Sequence, residues 1–241
     1  MFKYFSIIIL AMSISLIGTM IGASIGVIVR NPSKKLLGTI MGFAGGLMLA
    51  VVVFELIPEA INKTNILFTV IFYSIGIGIV MLIEKITEKK SMETGNYMKV
   101  AIITSLGLML HNLPEGIIMG CGFLVEQNLG VQMSIIIALH DIPEGIAVTA
   151  PLMASNVKVG KIIIYAFLTA LPTALGAALG VMTGKISDFY LGLSLALASG
   201  IMMYVVFGEL IPESNKLWSG ILNTLSVIIG LTLGFIMINL I

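Results

Sequence analysis

Charge is what this sequence has least of. Only 10% of its 241 residues are Asp, Glu, Lys or Arg, while 58% are hydrophobic, and the mean hydropathy is +1.12. A soluble domain carries about 25% charged residues, so a chain folded wholly in water is excluded. Cysteine is nearly missing as well. Cys121 stands alone, which rules out an intrachain disulfide and reads best as a small buried hydrophobe. No stretch alternates apolar and polar residues in the way a membrane β-barrel requires. No HExxH is present, the pattern in which a zinc hydrolase sets its ligands beside a general base. A net charge of +1 says nothing useful about a nucleic-acid partner, and none is expected of such a chain. What remains is an all-α, multi-pass membrane protein.

About 20 apolar residues cross the hydrocarbon as a helix. Breaks rich in Lys, Asn, Pro and Ser divide the chain into eight such segments, at 5–29, 36–57, 65–84, 99–124, 129–153, 159–184, 188–211 and 217–240. The first is too long for a signal-peptide core of roughly 7–15 residues and is read as a retained helix. Connections are short; the longest, EKITEKKSMETGNYMK (84–99), is expected to be a polar loop. Residues 1–241 therefore make a single transmembrane domain. With the N-terminus outside, the inner connections hold Arg30, Lys34, Lys35, Lys85, Lys89, Lys90, Lys99, Lys158, Lys161 and Lys216, and the outer side holds only Lys3, Lys63 and Lys185. That bias sets both termini outside the cytoplasm, in the cell (inner or plasma) membrane.

Polar residues inside these apolar runs carry the functional signal. LHNLPEGI (110–117) returns as LHDIPEGI (139–146), with six of eight residues identical. A charge at a helix centre in the bilayer costs roughly 2.5–3.5 kcal/mol on insertion scales, so a repeated His and Glu there demand a purpose. His111 and Glu115 share a helix face, as do His140 and Glu144, because positions four apart line up. Asn112 and Asp141 stand one residue round, Asp141 also suiting a role in orienting a histidine. Pro114 and Pro143 free the carbonyls of Leu110 and Leu139 and invite kinks. The fourth and fifth segments are antiparallel neighbours joined near Glu126–Asn128, so the two motifs meet near the middle of the bilayer. Imidazoles with carboxylates suit Zn²⁺, Fe²⁺, Mn²⁺ or Cd²⁺ better than Ca²⁺ or Mg²⁺. Two carboxylates balance one dication and relieve the cost of burying them.

A second repeat is longer in reach. GLMLAVVVFELIPE (46–59) matches GIMMYVVFGELIPE (200–213) at nine of fourteen positions. These lie in the second and seventh segments, which run in opposite directions. Glycines at 18, 22 and 26 are echoed at 176, 180 and 184. The expected architecture is an inverted repeat, helices 1–3 against 6–8 around the central pair 4 and 5, which is a mark of secondary transporters with a midplane site. Glu55 and Glu59 close the second segment at the outer face, Glu209 and Glu213 the seventh at the inner face. They are candidates for collecting and releasing cations, although Glu59 and Glu213 suit equally well as plain interfacial carboxylates.

On HNLPEG, HDIPEG and the paired ELIPE, the chain resembles the ZIP family of divalent-metal transporters, bacterial type, over essentially its whole length. The resemblance implies a secondary transporter, not an enzyme, that moves divalent transition metal into the cytoplasm, Zn²⁺ first and Fe²⁺, Mn²⁺ or Cd²⁺ as alternatives. The metal is substrate, and no cofactor is expected. The implied site is Met48 with His111, Glu115, His140 and Glu144, and an adjoining second site uses Asn112, Glu115, Asp141 and Glu144. A homodimer in the bilayer, and an elevator motion of helices 1, 4, 5 and 6, are also implied by the resemblance. The sixth segment, IIIYAFLTALPTALGAALGVMTG (162–184), has no acidic residue, so the second site should be weakened or lost. The rival reading is an intramembrane zinc-dependent hydrolase, for which the inverted repeat has no use.

Overall fold

A computed structural model describes residues 2–28, 33–91, 96–125, 127–183 and 187–240; for some of these, His140 and Pro143 included, it describes the backbone only. Arg30, Glu126, Gly184 and Lys185 lie outside the described residues. The helices are α1 (Phe2–Ile28), α2 (Lys34–Lys63), α3 (Ile66–Ser91), α4 (Asn96–Val125), α5 (Gln127–Ala154), α6 (Val159–Thr183), α7 (Asp188–Leu217) and α8 (Ile221–Leu240). No strand occurs among the described residues. Among the described residues, seven helices, α1 to α4 and α6 to α8, are long and apolar enough to cross a membrane.

Local chemistry sets the boundaries. The Ser33 hydroxyl accepts the Leu36 N–H at 3.2 Å and starts α2; the Asn65 side chain does the same for Phe68 at 3.0 Å and starts α3. At the end of α5, Asn156 takes φ +57°, and the Val157 and Asn156 N–H groups turn back to the Leu152 and Met153 carbonyls. That pattern is a Schellman stop with asparagine at the left-handed position.

Three stretches differ from the sequence expectation. The stretch 84–99 is mostly helix, since α3 runs to Ser91 and α4 begins at Asn96. Glu and Lys are good helix formers, and nothing in EKITEKKS breaks the turn. Likewise α2 and α7 do not stop before Pro58 and Pro212. Each widens into a π-turn, Val52–Leu56 and Val205–Leu210, and then continues as α-helix. The Ile57 N–H reaches back five residues to the Val52 carbonyl, and the Ile211 N–H to that of Val206. A proline lacks the N–H and crowds the carbonyl four residues back; one extra residue in the preceding turn relieves that clash without ending the helix. By contrast α4 continues unbroken through Pro114.

Helices pair most extensively as α4 with α6, α1 with α5, α2 with α8 and α3 with α7. Small residues set the closeness of these contacts. A Cβ added at Gly22 would stand 1.9 Å from the Ile142 carbonyl oxygen of α5, and one at Gly116 would stand 2.0 Å from the Thr173 carbonyl of α6. The result is two groups of four, α1, α4, α5 and α6 against α2, α3, α7 and α8. They touch mainly where α2 meets α5 and where α4 meets α7 and α3.

Gly22→Ala should therefore lower the thermal transition of the detergent-purified protein, overpacking costing about 1–3 kcal/mol. Gly78→Ala, with nothing within 4 Å, should leave the transition unchanged or raise it. Equal transitions for the two variants would contradict the tight α1–α5 contact.

Candidate metal centre

Helix α4 delivers His111 and Glu115 to one face, and α5 delivers Glu144 opposite them. The His111 Nε2 lies 2.9 Å from the Glu115 Oε1 and 3.3 Å from the Glu144 Oε1. All three side chains are buried, with exposures of 0%, 1% and 2%. One ligand atom from each falls within 4.8 Å of the other two, a spacing that could hold a single metal ion. Among the described residues this is the one such His/Cys/Asp/Glu group.

Its composition decides what it can bind. Two carboxylates and one imidazole offer hard oxygens and a borderline nitrogen, a set suited to Zn²⁺ and neighbouring transition metals. In the arrangement seen, imidazole and carboxylates face each other across 2.9 and 3.3 Å. Each of these groups binds a metal cation only in its deprotonated form.

The remaining sequence candidates are placed as follows. Asn112 and Asp141 are buried on the same two helices, at 1% and 0% exposure. The Asn112 amide donates to the Thr169 carbonyl of α6 at 2.8 Å, and its Oδ1 is buried without a hydrogen-bond partner among the described residues. His140 sits on α5 one residue before Asp141, but its side chain lies outside the described residues. Met48 of α2 is fully buried and belongs to the apolar cluster that includes Leu108, Ile146, Ala147 and Val148.

The four carboxylates on α2 and α7 are not members of the group formed by His111, Glu115 and Glu144. Glu55 is half-buried inside the first π-turn, and Glu209, 5% exposed, is inside the second. Glu213 is buried rather than bathed in interfacial water, and the Lys216 ammonium lies 2.9 Å from it. Glu59 pairs with Lys63 at 3.2 Å, and Lys63 also reaches Asp188 of α7 at 3.1 Å.

Sequence reasoning missed two features. The π-turns were signalled by Pro58 and Pro212 inside otherwise continuous apolar runs. A second polar knot, Glu84 with Lys99 and Tyr204, was hidden because 84–99 read as a loop. Lys99 of α4 lies 2.7 Å from Glu84 of α3, and the Tyr204 hydroxyl of α7 donates to the other oxygen of Glu84.

A multi-pass helical membrane protein with a buried His–carboxylate cluster between two central helices is the build of a metal-ion carrier. Residues 84–241 match the sequence profile described as ZIP zinc transporter, and the chain belongs to that family, whose members are transporters and not enzymes. Curated relatives agree along most of the length. The chain is 28% identical over 238 residues to the zinc transporter ZupT of Chlorobaculum parvum, covering 87% of this chain and 89% of that one. To ZupT of Enterobacter sp. (strain 638) it is 31% identical over 216 residues, 83% of each chain. To that of Clostridium perfringens it is 26% identical over 238 residues, 83% of this chain and 84% of that one.

Glu144→Gln keeps the shape of the side chain and removes its charge. Zn²⁺ affinity of the purified protein, measured by equilibrium dialysis, should fall by at least the roughly 10–100-fold seen when even a supporting residue of a metal site is changed. An unchanged affinity would take Glu144 out of the site.

Proposed function

We propose that the protein is a secondary transporter that carries divalent transition metal, Zn²⁺ first, into the cytoplasm through a site built on α4 and α5. The observation that carries this reading is the convergence of His111, Glu115 and Glu144 in a fully buried position. His140, one helical turn from Glu144, and Met48 complete the main site. Asn112 and Asp141, with Glu115 and Glu144, form the adjoining one. That second site is weak, since α6 offers Asn112 a backbone carbonyl where a carboxylate would be needed to hold another cation. Glu55 and Glu59 gather the ion on the outer side; Glu209 and Glu213 receive it within.

The single domain spans the bilayer eight times, α5 included, with both termini outside the cytoplasm. Its helices form an inverted repeat, and the glycine contacts support this. Gly46 of α2 faces the Val227 carbonyl of α8, and Gly200 of α7 faces the Tyr73 carbonyl of α3. The steps from 46 to 200 and from 73 to 227 are both 154. Gly145 faces the Thr19 carbonyl and Gly116 that of Thr173; 19 to 173 is again 154, and 116 to 145 is the 29 that separates the two His motifs. The same step pairs Gly22 and Gly26 with Gly176 and Gly180, one turn from the register that the glycine stripes alone suggest. Alternating access then moves α1, α4, α5 and α6 past the other four helices. A homodimer in the membrane completes the reading on family resemblance.

The rival, an intramembrane zinc hydrolase, has no support in a family of transporters, and the chain holds no HExxH.

Zn²⁺ uptake into proteoliposomes should saturate with wild-type protein and be lost in His111→Ala and His140→Ala. Tight binding without flux would overturn the transport reading. Because the ligands bind metal only when deprotonated, uptake should also decline as the outer pH falls from about 7.5 to about 5.5. A flat profile would count against an imidazole–carboxylate site.

A further inference from the structure

The Glu84 carboxylate is held from two sides by different helix groups. Tyr204 and Glu84 belong to α7 and α3, a pair whose backbones are pressed together: a Cβ at Gly200 would stand 2.0 Å from the Tyr73 carbonyl, and one at Gly76 would stand 2.2 Å from that of Leu197. The Tyr204 hydroxyl donates to one oxygen of Glu84 and so fixes the carboxylate on this rigid pair. Lys99 takes the other oxygen at 2.7 Å. It comes from α4, the helix that carries His111 twelve residues further on. At 1.5 Å per residue that is about 18 Å along the same rod.

Glu209 of α7, buried beside this knot, interacts with the charges of Glu84 and Lys99; further along, the seam is apolar. Val80 of α3, Ile103 of α4 and Ile201 of α7 form a small apolar cluster flanked by Leu197 and Tyr204. Gly107 of α4 faces the Val205 and Ile201 side chains, not a backbone. Apolar side-chain contacts can be exchanged for similar ones as helices slide. An ion pair with a tyrosine-fixed carboxylate is either made or broken, and so defines a discrete position. The repeat sharpens the point, because a step of 154 sets Ala50 opposite Tyr204 and Ile238 opposite Glu84. The polar knot therefore has an apolar counterpart at the other end of the molecule.

We propose that Lys99 and Glu84, with Tyr204 positioning the carboxylate, form a latch that docks α4 on α3 and α7 in one stage of the transport cycle and must open for the ion to cross. The proposal rests on the transport reading above, and its test separates the two. Lysine and glutamate meeting end to end leave their backbones too far apart for a disulfide. Glu84→Cys with Lys99→Cys, in a Cys121→Ser background, would therefore be bridged by a short bifunctional methanethiosulfonate.

In proteoliposomes the bridged protein should lose Zn²⁺ uptake by about tenfold or more and regain it on reduction, while Zn²⁺ affinity stays within about twofold, since the ligands of the site are untouched. Undiminished uptake by the bridged protein would overturn the latch. Absent uptake by wild type would overturn the transport reading and the latch with it. Charge exchange gives a second measurement should the cysteine pair disturb the seam. Glu84→Lys alone should depress uptake, and Glu84→Lys with Lys99→Glu should restore most of it. No restoration would also overturn the proposal.

Discussion

Two carboxylates and an imidazole buried in the hydrocarbon layer are the demand that the rest of this fold answers. Left isolated, each charge would cost several kcal/mol or be neutralised by a proton. His111, Glu115 and Glu144 answer it together, lying 2.9 and 3.3 Å apart across two helices with no access to water. Such a cluster must be sealed on its outer sides, and the glycines do that. With no side chain at Gly22 and Gly145, α1 closes on α5; with none at Gly116 and Gly176, α6 closes on α4. Close packing and buried charge are thus two aspects of one arrangement.

The proposed repeat pairs glycine contacts of the two halves but leaves their chemistry unequal. Several of its glycine contacts recur at the step of 154, whereas Tyr204 and Glu84 fall on Ala50 and Ile238. The pairing of Glu59 with Lys63, and of Lys63 with Asp188, stays within α2 and α7 and so joins helices of one group. The pairing of Lys99 with Glu84 joins helices of different groups. A carrier whose two ends were alike in this respect would have no built-in preference between its two faces.

Much of this was legible in the sequence because periodicity is a local property. His111 and Glu115, four residues apart, had to share a face, and the second copy of the motif had to bring Glu144 to meet them. The apolar runs gave the helices, and Lys, Asn and Ser gave their ends. What stayed hidden depends on where helices cross. The partner of Asn112 is a carbonyl, that of Thr169, and every residue carries one, so no pattern could single it out. Glu84 and Lys99 looked like ordinary loop residues, since charged helix extensions and polar loops share a composition. Pro58 and Pro212 were read as helix ends because a proline usually is one; that the chain instead absorbs each with a wider turn is decided by the packing around it.

The π-turns have a geometric consequence of their own. An α-helix turns through about 100° per residue, so one additional residue in a turn rotates everything beyond it by nearly that much relative to an unbroken helix. The faces shown by Ile57–Lys63 and Ile211–Leu217 are therefore set by a single inserted position in each helix. Take one residue out of either widened turn, and the sequence that follows it would keep its helix but present the wrong side. Glu213, now buried beside Lys216, would swing away from its present surroundings without any change in its own identity. In these two helices a length of one residue, more than any particular side chain, sets the direction in which the terminal carboxylates look.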